Sequence, residues 1–224
     1  MISGSTRQGR RVTAPTMACA ITLFFGACAG PTEAPRENQA RRSAAITDGV
    51  LDTGHPAVGL LLIDASGGQA KSVCSGTVVG SKTVLTATHC LEMGKPTLFQ
   101  HQGKLYTVTQ MIRRTDWVPT TSKYENDIGL AILDKAIPNA PMLPLSTSAP
   151  KTGASVILVG HGITATGLKD AGKKRTATNT IAAVQSRYFT INGTGGGIGN
   201  ACQGDSGGPV LVTSGGQTHI IGVI

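Results

Sequence analysis

Short apolar runs separated by turn residues constrain the fold of this 224-residue sequence more than any other feature. Residues 58–63 (VGLLLI), 128–133 (IGLAIL) and 155–160 (SVILVG) are clear examples, and Gly, Pro, Asn, Asp or Ser lies close to each of them. No stretch shows a long apolar repeat of 3.6 residues, so a helical bundle is not expected. Many short strands at this spacing predict an all-β fold, either an antiparallel barrel or a sandwich.

Further runs of the same kind continue this pattern along the chain. They lie at residues 75–80, 82–87, 104–108, 180–184, 209–212 and 219–224. Gly80, Ser81 and Lys82, where the first two of these runs meet, suit a hairpin. Four prolines between residues 138 and 150 predict a boundary between two halves of the fold.

The first 28 residues are interpreted as an export signal. Arg10 and Arg11 precede an apolar run, residues 17–30, which is too short to span a membrane and ends in small residues. The letters FGAC close this run and resemble a bacterial lipoprotein signal, which predicts a lipid on Cys28. Such a lipid would attach the protein to a membrane surface. An ordinary cleaved secretory signal is the alternative, so the protein is expected in the cell envelope or secreted.

The segment between this signal and the folded part is expected to be a linker or a propeptide. Residues 29–45 have few large apolar side chains and many Pro, Ala and charged residues. Residues 46–224 are predicted to form the folded domain. The formal net charge of +8 is uneven, since residues 1–45 carry +4 and residues 46–224 carry the other +4, and the basic cluster at residues 173–175 has no interleaved aromatic residue. Nucleic-acid binding is therefore not expected.

Three polar residues in apolar surroundings are the candidate catalytic groups. His89 lies in LTATHC after a predicted strand, and Ser206 lies in GDSGGP. Asp127 lies in NDIGLAIL at the start of an apolar strand, where a carboxylate is costly to bury unless it is paired. The order His, Asp, Ser is one of the known orders of a serine-protease triad.

The segments LTATHC, NDIGLAIL and NACQGDSGGPV resemble the three catalytic blocks of the trypsin/chymotrypsin-like serine endopeptidases. The resemblance runs from about Ile46 to Ile224. It implies two antiparallel β-barrels of the trypsin-like type, with the second barrel truncated at its C-terminus. It also implies a triad of His89, Asp127 and Ser206 in the cleft between the barrels. The substrates would be proteins or peptides, cleaved through an acyl-enzyme without a cofactor.

The resemblance assigns further roles around the serine. The backbone N–H groups of Gly204 and Ser206 would form the oxyanion hole, and a glycine at position 204 would leave room for the carbonyl oxygen. Asn200 would lie in the specificity pocket, and because it is uncharged, a strong preference for Lys or Arg is not expected. Asp205 would pair with the amine of Ile46 once the chain is cut after Ala45.

The cysteines complete the expectations drawn from this family. The resemblance implies a disulfide between Cys74 and Cys90, while the partner of Cys202 would lie beyond residue 224. Neither the cysteines nor the histidines have the spacing of metal ligands, so no metal is expected.

The same sequence suggests three other interpretations. Residues 204–208 also fit the G-x-S-x-G elbow of α/β-hydrolases, but no Asp or Glu follows Ser206, and that fold needs its acid after the serine. A non-catalytic, protease-like binding module on the cell surface is the alternative function. A structural envelope lipoprotein is a third, and it depends on residues 1–45 alone.

Overall fold

In the computed structural model, the described part of the chain is an all-β unit of fourteen strands and one short helix. The described residues are 46, 49–66, 69–93, 96–119, 124–164, 167–193 and 199–224. The strands are β1 (Val50–Leu51), β2 (Val58–Ile63), β3 (Ser72–Gly80), β4 (Thr83–Thr86), β5 (Pro96–His101), β6 (Lys104–Arg113), β7 (Val118–Pro119), β8 (Tyr124–Glu125), β9 (Gly129–Leu133), β10 (Ser155–Gly160), β11 (Arg175–Val184), β12 (Phe189–Ile191), β13 (Pro209–Ser214) and β14 (Gln217–Val223). The one helix among the described residues is α1 (Thr88–Glu92).

The first half of this unit is a closed antiparallel barrel in the strand order β2-β3-β4-β9-β6-β5. Alternate residues of β9 are buried, as expected for a strand with one face on a barrel interior. The Phe99 ring fills the interior, and Gly59 leaves room for it, because a Cβ there would lie 2.5 Å from the ring. Leu61, Val84 and Leu133 complete the packing around it.

The second half is an open, curled sheet in the order β1-β11-β10-β13-β14, and β12 also pairs with β11. Its core contains Ile46, Val156, Leu158, Ile181 and Val210, all nearly inaccessible to solvent. The predicted fold class is therefore confirmed, with one closed barrel and a second half that resembles part of a barrel.

The two halves pack on each other through a shared apolar cluster. Val58 and Leu85 of the barrel contact Val159, Leu211 and Ile220 of the sheet. The proline-rich connection between β9 and β10 also contacts both halves. The Leu143 N–H donates to Val78 in the barrel, and the Ile220 N–H of the sheet donates to Pro144. The catalytic candidates lie where these halves meet.

No helix in the described ranges is long and apolar enough to cross a membrane. The predicted export signal, the lipid on Cys28 and the linker at residues 29–45 lie outside the described residues.

Candidate active site

His89 lies on α1, the short helix that follows β4 of the barrel. The next residue, Cys90, forms a disulfide with Cys74 on β3, with an S–S distance of 2.04 Å, so the predicted pairing is confirmed. Both sulfur-bearing residues are fully buried, whereas the His89 side chain is 19% exposed. The disulfide therefore joins the start of the helix to the barrel wall while the imidazole remains accessible.

Asp127 precedes β9 and contacts His89 twice. One carboxylate oxygen accepts the backbone N–H of His89 at 2.8 Å, and the other lies 2.5 Å from Nδ1 of the imidazole. A carboxylate on Nδ1 favours the tautomer that carries its proton there, which leaves the basic lone pair on Nε2, 3.7 Å from Sγ of Cys90. The sequence separation of 38 residues is bridged because β4 and β9 are neighbours in the barrel.

Ser206 lies on the turn that leads into β13 of the second half. Its carbonyl accepts the backbone N–H of Ser75 at 2.7 Å, which ties this turn to β3 of the barrel. Ser206, His89 and Asp127 line one cavity of about 940 Å³. The structure thus brings the Asp–His pair into hydrogen-bond contact and places Ser206 on the same cavity.

Gly204 adopts the left-handed region, with φ +94°. A Cβ at this position would lie 2.9 Å from Cα of Gly162, so backbone geometry and neighbouring backbone both require glycine. This reason differs from the expected one, which was room for a substrate oxygen. Among the described residues, the backbone N–H groups of Gly204 and Ser206 have no hydrogen-bond acceptor. They are available to an anionic oxygen.

Asp205 is fully buried beside the candidate serine. Its carboxylate accepts the backbone N–H of Gly162 at 2.7 Å and that of Cys202 at 2.9 Å. A Cβ on Gly160 or Gly162 would overlap the Asp205 side chain, so both glycines are required to hold it. Burial raises the pKa of Asp205, and the hydrogen bonds from Cys202, Gly162 and Ile46 oppose that rise.

Ile46, at the N-terminal end of the described residues, contacts the Asp205 carboxylate. Its side chain is fully buried in the core of the second half, and its backbone N–H donates to the Asp205 carboxylate. Its φ of 46° lies in the left-handed region, which is costly for a β-branched residue. The two residues expected to pair after cleavage are therefore already in contact.

Asn200 lines the same cavity and is half-buried. Its side-chain oxygen accepts the backbone N–H of Ala201 at 2.8 Å. Cys202 is a free, half-buried cysteine close by in the chain.

Cys74, His89 and Cys90 form the one group of three potential metal ligands in the described ranges. Ligand atoms of Cys74, His89 and Cys90 lie within 4.8 Å of one another. Because both sulfurs are bonded to each other, neither is a thiolate able to bind a metal. The arrangement is explained by the disulfide.

Two groups at this site were missed by the sequence analysis. The Thr88 hydroxyl donates to the carbonyl of Ile128 at 2.8 Å, and the Ser75 hydroxyl donates to the carbonyl of Gly204 at 3.0 Å. Ser75 Oγ also accepts the backbone N–H of His161 at 2.9 Å. Thr88 directly precedes His89 in the sequence, but no local signal indicates a role for Ser75.

The closed barrel and the curled half-barrel sheet are consistent with a trypsin-like fold. The sequence model of the family described as Trypsin matches residues 52–224, and the chain belongs to the trypsin family.

Three known relatives illustrate the range of similarity. Coagulation factor IX of Cavia porcellus is 26% identical over 184 residues, which cover 70% of this chain and 65% of that protein. Vitamin K-dependent protein C of Rattus norvegicus is 28% identical over 200 residues, covering 73% and 42%. Trypsin alpha-4 of Lucilia cuprina is 25% identical over 235 residues, covering 92% and 84%. The match thus spans less than two thirds of the first two relatives.

Proposed function

We propose that this chain is a serine endopeptidase in which His89, Asp127 and Ser206 cleave peptide bonds through an acyl-enzyme. The observation that carries this proposal is the double contact of Asp127 with His89 on the cavity that Ser206 also lines. Membership of the trypsin family supports the same reaction.

The chemistry assigns one task to each group. Nε2 of His89 takes the proton of the Ser206 hydroxyl as the oxygen attacks the scissile carbonyl, and later donates it to the leaving amine. Asp127 holds the ring in orientation and stabilises the imidazolium. Water, activated by the same imidazole, then hydrolyses the acyl-enzyme and restores Ser206.

The oxyanion of the tetrahedral intermediate needs preorganised donors. The N–H groups of Gly204 and Ser206 are proposed for this task, since they have no acceptor among the described residues. The loss of one such donor costs on the order of 10²–10³-fold in rate in other serine proteases. Asn200 on the cavity wall is proposed to contact the substrate side chain without a charge of its own.

Activation is proposed to depend on Ile46 and Asp205. Cleavage after Ala45 would convert the Ile46 amide N–H into an ammonium group beside a buried carboxylate. A positive charge there offsets the cost of burying Asp205 in its ionised form. N-terminal sequencing of the active protein is expected to begin at Ile46, and an active protein that begins well before it would contradict this step.

The N-terminal assignments are proposals as well. Residues 1–28 are proposed to direct export, with a lipid on Cys28 as the membrane attachment, and residues 29–45 to form the linker or propeptide before a protease domain at 46–224. Mass spectrometry of the membrane-associated protein tests the lipid. Protein carrying no acyl groups at Cys28 would contradict it.

A fluorescent phosphonate that reacts with activated serines tests the catalytic proposal. We expect labelling of the cleaved protein, loss of labelling in Ser206→Ala, and unchanged labelling in Ser214→Ala, which alters an exposed serine in the β13–β14 hairpin. Circular dichroism checks that Ser206→Ala is folded. Absence of labelling in folded, cleaved protein would overturn the peptidase proposal and favour the non-catalytic binding module.

A further inference from the structure

The backbone around Asp127 forms a tight turn with an uncommon conformation. The Ile128 N–H donates to the Asn126 carbonyl at 2.9 Å, so Asp127 is the central residue of a three-residue turn. Asn126 itself has φ 58°, in the left-handed region that asparagine tolerates better than most residues. Small changes in this turn would move the carboxylate that contacts His89.

The turn is held on both sides by side chains. After Asp127, the carbonyl of Ile128 accepts the hydroxyl of Thr88, the residue that precedes His89 on α1. Before Asp127, the Asn126 side-chain amide donates to the Asp116 carbonyl at 3.0 Å and to its carboxylate at 3.1 Å.

The Asp116 carboxylate has a second, bidentate partner. Nε and Nη2 of Arg114 each donate to it at 2.8 Å, a geometry in which the planar guanidinium fixes the orientation of the carboxylate. The short pairing of β7 with β8, with Val118 opposite Glu125, brings this part of the chain alongside Asn126. Two contacts to Asp116 and one to Thr88 therefore enclose the turn.

We propose that Asn126, anchored on Asp116, is a positioning residue that sets the orientation of the Asp127 carboxylate toward His89. The proposal deepens the proposed peptidase function and rests on it for its kinetic consequences. The Asn126 amide contacts no reacting atom in this assignment; it acts through Asp127. Misplacement of a catalytic group by about 1 Å costs on the order of 10²-fold in rate.

Asn126→Gly tests the role of the amide, because glycine allows the left-handed φ without the side chain, and a matched Asn→Gly control accounts for the backbone freedom that glycine adds. We expect kcat to fall by about tenfold to a hundredfold with KM changed less than twofold. Asn139→Gly is the matched control, since Asn139 also has a left-handed φ of 50° and is exposed in the connection between the two halves. It is expected to leave kcat and KM unchanged.

Asp116→Ala provides an intermediate case. It removes the carboxylate acceptor but leaves the Asp116 carbonyl, so a smaller fall in kcat than that of Asn126→Gly is expected. Equal kcat values for wild type, Asn126→Gly and Asp116→Ala would overturn the positioning role.

An NMR measurement separates this inference from the peptidase proposal. The proton between His89 Nδ1 and Asp127 is expected to give a downfield signal in wild type and in Asn139→Gly, and a shifted or lost signal in folded Asn126→Gly. A signal unchanged in Asn126→Gly would overturn the positioning role. If the signal shifts while wild type fails to react with the phosphonate, the positioning role stands and the peptidase proposal fails.

Discussion

The carboxylate of Asp127 contacts His89 through two different nitrogens, the backbone N–H at 2.8 Å and Nδ1 of the ring at 2.5 Å. One contact fixes the start of the helix that carries the histidine, and the other fixes the ring. Because the two oxygens of one carboxylate make both contacts, neither group can rotate without breaking one of them.

Asp127→Asn is expected to lower kcat by about 10⁴-fold, the size of the effect known for this change in a Ser–His–Asp triad. The amide keeps the shape of the side chain but places an N–H₂ group where one acceptor is needed. Steady-state kinetics on a peptide substrate measures the effect, with thermal unfolding as the check on folding. A fall of less than tenfold in a folded variant would contradict the role of Asp127.

Gly160→Ala is expected to lower the free energy of unfolding by about 1–3 kcal/mol, since a Cβ there overlaps the Asp205 carboxylate. Gly54→Ala is the matched control, because its Cβ would meet only Asp52 Oδ1, at an ordinary contact distance of 3.8 Å. Urea unfolding measures both variants. Equal decreases in the free energy of unfolding for the two variants would show that the space beside Asp205 does not require glycine at position 160.

His161 gives a pH dependence whose sign follows from its environment. The side chain is 7% exposed, and burial, with a smaller effect of Lys174, lowers the pKa of His161 from 6.5 to about 4. Between these values the unfolded chain binds the proton more tightly, so the free energy of unfolding falls as the pH drops from about 6.5 to about 4. Protonation of His161 is expected to lower the free energy of unfolding by about 3 kcal/mol over this pH range.

Urea unfolding across that pH range, with wild type and His161→Gln, tests the assignment. The variant is expected to lose less stability on acidification than wild type. His101, whose pKa is also lowered by burial, contributes in the same direction in both proteins and so leaves the comparison valid. If the free energy of unfolding changed equally with pH in the two proteins, groups other than His161 would be responsible for the pH dependence.

Replacing Cys74 and Cys90 together by alanine is expected to lower the free energy of unfolding by about 3 kcal/mol, because the bond closes a loop with a sequence separation of 16. Cys202→Ala is the matched control, since that cysteine forms no disulfide within the part of the chain that the structure describes. A double variant as stable as the control would contradict a stabilising role for the bond.

Local patterns predicted the strands well where most residues of a strand are buried. The runs at residues 58–63 and 155–160 match β2 and β10 residue for residue. No local pattern predicted β5 or β12, and the strand predicted over residues 82–87 was followed by no predicted helix, although α1 begins at Thr88. A helix of five residues has too few turns to show an apolar period, so its formation depends on the contacts around it.

Sequence patterns also predicted only some of the residues at the candidate site. The type and order of His89, Asp127 and Ser206 were readable from three motifs, whereas Asn126, Asp116 and Thr88 carried no signal that distinguished them from ordinary turn residues. Nothing in the sequence indicated a second requirement for glycine at position 204, because the contact with Gly162 involves a neighbour 42 positions earlier in the chain.

The sequence by itself determined which reactive side chains the chain carries, the short apolar runs that predict an all-β fold, and the family to which its motifs point. Only the tertiary structure decided that Asp127 meets His89 across 38 residues, that Ile46 lies against Asp205, and that Asp116 holds the turn beside the candidate acid. The reason is physical: local patterns reflect each residue's own backbone and burial preferences. Contacts between distant residues exist only once barrel closure and sheet pairing have set the distances.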